Sequence, residues 1–579
     1  MRFWLGVILL ALALRTGTSF SPYYANGQPS RWDFNYTGAD PRAFNTATKA
    51  IRYYIGTNTA TVANRAAELN AVRAVFAQWQ AIPGTVLKFE DAGFAPADLD
   101  DIKLGDGTNS VFWTTRSFVA GNVDMTGRAA YTMVLLDAQN RIVEADTALN
   151  ARIFSWFTDY NNTASGAQFV EAILAHEIGH FLGVDHTPLG GATVIDGGPG
   201  IGPEAGLSSD EFAAARFLYP AASTASQYGT IAGVVRMNGV GIHGAIVTAE
   251  TTTGAAVSAT PSDSAGNYKL PMLPPGAYNV HVSPLDPDAA SQYASLFRPV
   301  DIATDFGAAV TAFKPTENTA ATVTAGGTAT LNFNVTSGEP AFRIQQISKP
   351  TPLENAPSPV RYSVGVNLGA SFYMGVAGSA IPTDAVLSIT GDGVTIGPMN
   401  FQANRLYNNT LNLLQAQVTV ASNATPGLRT VMVRRGTDLA YANGYLEIYP
   451  PAPDFNFDGL DDRFQRQYFA LFTAPEAAPT ADPDGDHFSN AFEALTGSNP
   501  VDAASHNFLI QQVDLTRFGG RVSWKSDVGK QYQLYGKDDV ATGAWQAVGG
   551  PITATTNLTS EADSNAGSVV RIYKLRLLP

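Results

Sequence analysis

The chain has 579 residues, 36 Lys and Arg against 50 Asp and Glu, 45% hydrophobic residues and no cysteine. At roughly 100–200 residues per domain, that length holds about three to five domains, and the net charge of −14 leaves no basic surplus to neutralise the phosphates of a nucleic acid. Zero cysteine excludes disulfide staples, thiol catalysis and Cys-ligated zinc.

At the N-terminus Arg2 precedes an unbroken apolar run, Phe3 to Leu14, and the small residues Gly17, Thr18 and Ser19 follow. Basic start, apolar middle and small residues before a cut are the layout of a secretory signal. The run is shorter than the ~18 residues that usually span a bilayer. Residues 1–19 are therefore expected to be a cleaved signal peptide, and the protein to be secreted, extracellular or held at the cell surface. The last residues, Ile572 to Pro579, include Lys574 and Arg576, so no transmembrane anchor is expected. The chain is expected to be a monomer.

Residues 20–222 mix helical and strand periods, which predicts one α+β domain. Ile51, Tyr53 and Ile55 alternate as in a strand. Asn64 to Gln80 carries Leu69, Val72, Phe76 and Trp79 at helical spacing. Thr132 to Leu136 and Arg141 to Asn150 read as strands around a turn at Asp137 to Asn140, and Gln168 to Leu182 as a second helix. After Pro220, residues 228–337 and 340–449 alternate every second position with Gly, Pro, Asn and Asp between runs, which predicts two β-sandwich domains. Residues 450–505 are acidic and loop-rich with two short helical stretches. Residues 506–579 alternate again (Val522 with Trp524, Tyr532 with Leu534), which predicts a small C-terminal β domain.

Chemistry concentrates in Glu171 to His186, EAILAHEIGHFLGVDH. A capping box at Ser165 to Gln168 would start the helix. Phe169, Ile173, His176 and His180 then fall on one stripe, so the two imidazoles sit one turn apart and point the same way. Gly183 stops the helix, and His186 returns as a third imidazole. Three neutral imidazoles leave one tetrahedral position open, the arrangement of a catalytic zinc. Glu177 is near enough to take a proton from a zinc-activated water. The chain has seven His in all, and these three are the only ones in its first 220 residues.

This stretch resembles the metzincin zinc peptidases, whose motif HExxHxxGxxH is matched by His176, Glu177, His180, Gly183 and His186. Ala71 to Asp91, Arg141 to Asn150 and Leu207 to Pro220 resemble flanking elements of bacterial matrixin-like enzymes. The resemblance implies an endopeptidase with catalytic Zn2+ on His176, His180 and His186, with Glu177 as general base. It also implies that strand Thr132 to Leu136 is a sheet edge on which an extended peptide lies. One departure is large. The family places a methionine below the metal after the third His, whereas Gly190 to Asp196 contains none, and Ile195 is expected to supply the apolar floor.

Residues 228–337 resemble the transthyretin-like regulatory domain of secreted carboxypeptidases. Tyr268 and Leu270 lie on one strand and Tyr278, Val280 and Val282 on the next, joined by Pro274-Pro275-Gly276. His243 and His281 are isolated and expected to be ordinary surface or core residues. Residues 340–449 resemble an immunoglobulin-like domain through Thr425-Pro426-Gly427 before Thr430 to Val433.

Within residues 450–505, Asp454, Asn456 and Asp458 stand at loop positions 1, 3 and 5, with Gly459 at 6. Asp482, Asp484 and Asp486 repeat the spacing, with Glu493 at 12. Hard oxygens at alternate positions of a tight loop suit calcium. The expected ligands are Asp454, Asn456, Asp458, Leu460 and Asp462 in the first loop, and Asp482, Asp484, Asp486, Phe488 and Glu493 in the second. Both resemble EF-hand and dockerin-like calcium loops, with departures at Gln465 and His487. The whole reads as a secreted, zinc-dependent endopeptidase acting on protein or peptide, with structural Ca2+. The alternative is a non-enzymatic, calcium-stabilised surface adhesin carrying a degenerate peptidase domain. The intact His set and Glu177 favour the enzyme; the missing methionine favours the adhesin.

Overall fold

The computed structural model describes the chain except residues 1–16, 19–20, 26–27, 97–98, 163–166, 196–200, 286–307, 350–362, 407–410, 506–509, 517–518, 539–543, 565–570 and 579. The apolar run of the expected signal peptide lies outside the described residues. Among those that are described, no helix is long and apolar enough to cross a membrane.

Leu69, Val72, Phe76 and Trp79 lie buried along α1 (Arg65–Ala81), one residue later than the expected span. Full burial of such side chains stabilises by about 1.5–3 kcal/mol each. The Trp79 indole donates to the Ala175 carbonyl at 3.1 Å and Gln78 donates to Glu171 at 3.2 Å, which ties α1 to the helix carrying the two histidines. Beside them lies a mixed sheet of β1 (Ala50–Ile55), β2 (Phe89–Phe94), β3 (Ser110–Thr114), β4 (Ala130–Leu136) and β5 (Ile142–Asn150). Its order is β4-β5-β3-β1-β2, with the two-residue strand Phe44–Asn45 also on β1. The tight turn before β5, with Asn140 at φ +62°, can join only antiparallel neighbours, so β4 runs against β5 and ends the sheet. The remaining pairings among β1, β2, β3 and β5 are parallel.

The helix α3 (Ser209–Leu218) follows the histidine region and opens on a capping box between Ser208 and Glu211. Next come β6 (Gly229–Met237), β7 (Ala245–Thr251), β8 (Ala256–Pro261), β9 (Asn267–Leu273), β10 (Gly276–Pro284) and β11 (Thr319–Val323). They form a sandwich in which β9 pairs with β6, while β8-β7-β10-β11 make the facing sheet. The strands on either side of Pro274-Pro275 therefore belong to opposite sheets rather than to one hairpin, and the Tyr278 hydroxyl holds the crossing by donating to the Pro274 carbonyl at 2.6 Å. Prolines have no N–H for a ladder, so the turn passes the chain between layers. A second sandwich contains β12 (Gly427–Arg435) and β13 (Asp438–Ile448) in the sheet ordered Val364–Val366, β13, β12, Val386–Ile389.

Residues 1–456 make one compact unit and residues 457–579 another. The second unit holds α4 (Asp462–Tyr468), α5 (Asn490–Thr496) and two three-stranded sheets around Val522, Trp524, Tyr532 and Leu534. In the first unit the histidine-bearing block and both sandwiches share buried side chains. His281 is no isolated residue: it is fully buried, stacks on Tyr441 of β13 and lies 2.9 Å from the Asn443 side-chain oxygen. Asp210 of α3 is 1% exposed and accepts the Ser258 hydroxyl of β8 at 2.7 Å. Burial, with the charge of Glu211, pushes its carboxyl up to about 7.

A carboxyl with a raised folded-state pKa binds more protons folded than unfolded, so stability falls as pH rises from the ordinary carboxylate range through about 7. Asp210→Asn should remove that slope. Denaturant midpoints measured at pH 5 and pH 8 are expected to converge in the variant relative to wild type; an unchanged pH slope would show that Asp210 is charged throughout.

Candidate metal centre

The histidine helix α2 spans Val170–Phe181, and its start differs from the expected one. Residues 163–166 lie outside the described residues, Ala167–Phe169 pairs as a short strand with Ser155–Phe157, and Phe169 caps the helix without a side-chain hydrogen bond. Strand pairing keeps Ala167–Phe169 extended, which delays the helix to Val170. The other end matches the sequence reading. Gly183 takes φ +87°, and a Cβ there would lie 2.3 Å from the Ser30 carbonyl oxygen. Val184–Asp185 then pairs antiparallel with Ser21–Pro22, bringing the chain back for His186.

The three imidazoles converge. His176 Nε2 lies 3.0 Å from His180 Nε2 and 3.2 Å from His186 Nε2. Zinc–nitrogen bonds of ~2.0–2.1 Å in a tetrahedron require ligands roughly 3.3 Å apart, close to this spacing. His176 Nδ1 lies 3.0 Å from the Thr193 carbonyl oxygen and His180 Nδ1 lies 2.8 Å from that of Val184. A carbonyl can only accept, so each Nδ1 carries the proton and each Nε2 presents its lone pair to the centre. Burial, then His180 and His186, lowers the pKa of His176, which keeps it in the neutral form a metal needs. The donor set therefore fits a divalent metal with an open position.

Glu177 is 5% exposed, and its Oε2 accepts the Thr132 hydroxyl at 2.5 Å. Thr132 sits on the edge strand β4 and also meets Thr147 of β5 at 2.9 Å. Burial pushes the Glu177 carboxyl up to about 7, against the pull of Thr132, His186 and Arg128. A base near neutrality suits proton transfer at ordinary pH. Neither the two carbonyls nor Thr132 was singled out from sequence; only the strand reading of Thr132 to Leu136 hinted at the latter.

The floor expected from Ile195 is a correction. Ile195 joins the hydrophobic core of the second sandwich with Val364, Tyr445 and Leu446. The side chain against α2 is Val194, fully buried and so close that a Cβ on Gly179 would meet its Cγ2 at 2.5 Å. Residues 191–195 are turns and bends, so no regular period tells from sequence which side chain faces α2.

Of the acidic positions, Asp482, Asp484 and Asp486 gather with carboxylate oxygens within 4.8 Å of one another. Gly485 N and His487 N donate to Asp482 at 2.9 and 3.0 Å, and Phe488 N donates to Asp486 at 2.9 Å. His487 takes φ +78°, the turn conformation usually left to glycine, as Gly459 does at φ +87° in the first loop. Glu493 of α5 is fully buried, and neither carboxylate oxygen has a hydrogen-bond partner among the described residues. Burial, then Asp484 and Asp486, pushes its carboxyl up to about 7. Asp454, Asp458 and Asp462 form no comparable cluster among the described residues. There Gln465 donates to Asp458 at 2.7 Å, an amide where the second loop has Glu493.

Comparison with known proteins agrees with this geometry. The family model described as Matrixin matches residues 44–196, and that of a carboxypeptidase regulatory-like domain matches residues 230–336. The chain thus carries a matrixin-like peptidase domain with an accessory β domain, and the matrixin family implies a catalytic zinc. No curated protein matches. Among solved structures, similarity extends to BcpA, the major pilin subunit of Bacillus cereus (10% identity, 58% of this chain and 85% of that chain, TM-score 0.14). It also extends to the secreted serine protease VesC from Vibrio cholerae (8% identity, 59% of this chain and 75% of that chain, TM-score 0.13). At such TM-scores neither carries an argument.

Metal analysis of the full chain should find one equivalent of zinc, removable by chelation. His180→Ala is expected to lose it, and full zinc retention in that variant would place the metal elsewhere.

Proposed function

We propose that the protein is a secreted, zinc-dependent endopeptidase of the metzincin class, hydrolysing peptide bonds with Glu177 as general base. The observation that carries the reading is Glu177, buried beside three convergent imidazoles and held by a hydroxyl from the sheet's edge strand. Bound at His176, His180 and His186, zinc supplies Lewis-acid chemistry: it acidifies water and polarises a peptide carbonyl. Edge strand β4 pairs on one side with β5, and its other side offers backbone groups to an extended substrate. Glu177 accepts the proton of the attacking water at its carboxylate and hands it to the departing amine nitrogen. Thr132 holds the carboxylate in place, so substrate strand and base share one support.

Glu177→Ala removes the base and no ligand. It should retain zinc and lose hydrolysis of a denatured protein substrate by at least about 100-fold, the scale of general-base catalysis. Undiminished hydrolysis in that variant would sink the mechanism. Zinc-bound wild type inert on a broad peptide library would favour the adhesin.

A second metal is supported by the gathered Asp482, Asp484 and Asp486, whose charges also act on the buried carboxyl of Glu493. We assign to Asp482, Asp484, Asp486, the Phe488 carbonyl and Glu493 a structural calcium, and to the loop of Asp454, Asn456, Asp458, Leu460 and Asp462 a weaker one. Calcium neutralises carboxylates that otherwise repel, and millimolar affinity suffices outside the cell. Calorimetric titration of the full chain should show Glu493→Ala losing more calcium affinity than Gln465→Ala. No heat at millimolar calcium, or equal losses, would refute the assignment.

A further inference from the structure

The loop after the third imidazole, Thr187 to Ile195, is built into both sandwiches. Leu189 and Ala192 share a hydrophobic cluster with Ile246, Ala256 and Ala259 of the first sandwich and Leu428 of the second. Gly190 N donates to the Asn443 carbonyl of β13 at 2.8 Å. A Cβ on Gly190 would lie 2.2 Å from the ring of Tyr445, two residues further along the same strand. Asn443 is itself fixed by its side-chain contact with the buried His281 of β10. At the other end of the loop, Thr187 lies close enough for its side chain to favour the charged form of Asp210, which also receives the Ser258 hydroxyl of β8 at 2.7 Å.

This same loop carries the Thr193 carbonyl that orients His176, and Thr187 directly follows the ligand His186. Thr187 N closes the loop by donating to the Val194 carbonyl at 3.1 Å, and Val194 N donates to Glu211 at 2.9 Å. Close-packed surroundings resist the sub-ångström shifts that would spoil ligand geometry. We propose that the two β-sandwiches are part of the metal centre: they bury Thr187 to Ile195 and thereby set the imidazoles of His176 and His186, with Tyr445 and Ser258 as positioning residues. The sandwiches do here what a single floor residue would do if the loop packed only on its own domain. The inference rests on metal binding by the three histidines and does not require that the centre hydrolyse peptides.

The test is a steric exchange in the full chain, read by zinc affinity in chelator competition and by the visible spectrum of the cobalt-substituted protein. Gly190→Ala should drive a methyl into the Tyr445 ring, weaken zinc by about tenfold or more and shift the cobalt bands, as loss of supporting contacts around a metal does. Tyr445→Ala added to it should restore zinc affinity to within about threefold of Tyr445→Ala alone, the non-additivity of a direct contact. Ser258→Ala, a milder change read through Asp210 and Thr187, should weaken zinc and move the cobalt bands without loss of folded protein. The proposal is overturned if Gly190→Ala leaves affinity and spectrum unchanged, or if the second substitution restores nothing. If Gly190→Ala yields no soluble protein, Ser258→Ala decides: an unchanged spectrum and affinity overturn the proposal. Zinc bound as expected but no hydrolysis in wild type would defeat the peptidase reading and leave this one standing.

Discussion

The carbonyl oxygens of Val184 and Thr193 orient two of the three imidazoles on which the histidine cluster depends. An imidazole has two nitrogens, and only the one without a proton can bind a metal. Each carbonyl claims the proton at Nδ1 and so turns Nε2 inward. The two carbonyls come from different places: one from the turn forced by Gly183, the other from the loop that returns beneath α2. The rest of the first unit serves to hold those two segments still. Trp79 of α1 braces α2 from behind, Ser21–Pro22 pairs with Val184–Asp185, and the sandwiches receive the returning loop.

Glu177 is set by a second, independent constraint. Glu177 would be a poor proton acceptor at neutral pH if solvated, because its ordinary pKa lies far below 7. Burial raises it and the Thr132 hydroxyl keeps it from rising further. That hydroxyl belongs to β4, which a tight turn joins antiparallel to β5 and which stands at the end of the sheet among the described residues. Sheet topology therefore places the Glu177 carboxylate beside the strand at the end of the sheet.

The acidic loop of the second unit follows a different logic. Three aspartates within 4.8 Å repel, and a buried Glu493 without hydrogen bonds adds to the repulsion. A protein can meet that cost by protonating the acids or by taking a cation. Burial and the neighbouring aspartates push the Glu493 carboxyl toward the first response, and a bound cation would supply the second. In the related loop at Asp454 the Gln465 amide donates to Asp458, where the second loop has the carboxyl of Glu493.

The histidine spacing, Glu177, Gly183 and the helix α1 were legible in sequence because each depends on contacts within a turn or two of chain. Helical periodicity alone puts His176 beside His180, and only a glycine meets the positive φ at 183 without strain. Alternation likewise marked the strands of both sandwiches. The helix start, the opposite sheets of β9 and β10, and the place of Ile195 were not legible. Each is settled by partners distant in the chain: Ser155–Phe157 for the first, β6 and β7 for the second, the core around Tyr445 for the third. His281 reads as an isolated residue in the sequence and lies at a junction in the fold, since its neighbours Tyr441 and Asn443 are some 160 positions away. Sequence by itself determined which atoms could hold a metal, because ligand identity and local spacing are properties of the chain. Tertiary structure alone decided what orients those atoms, because the carbonyls, the Thr132 hydroxyl and the glycine-to-ring contact at Tyr445 reach their partners only when distant segments are packed together.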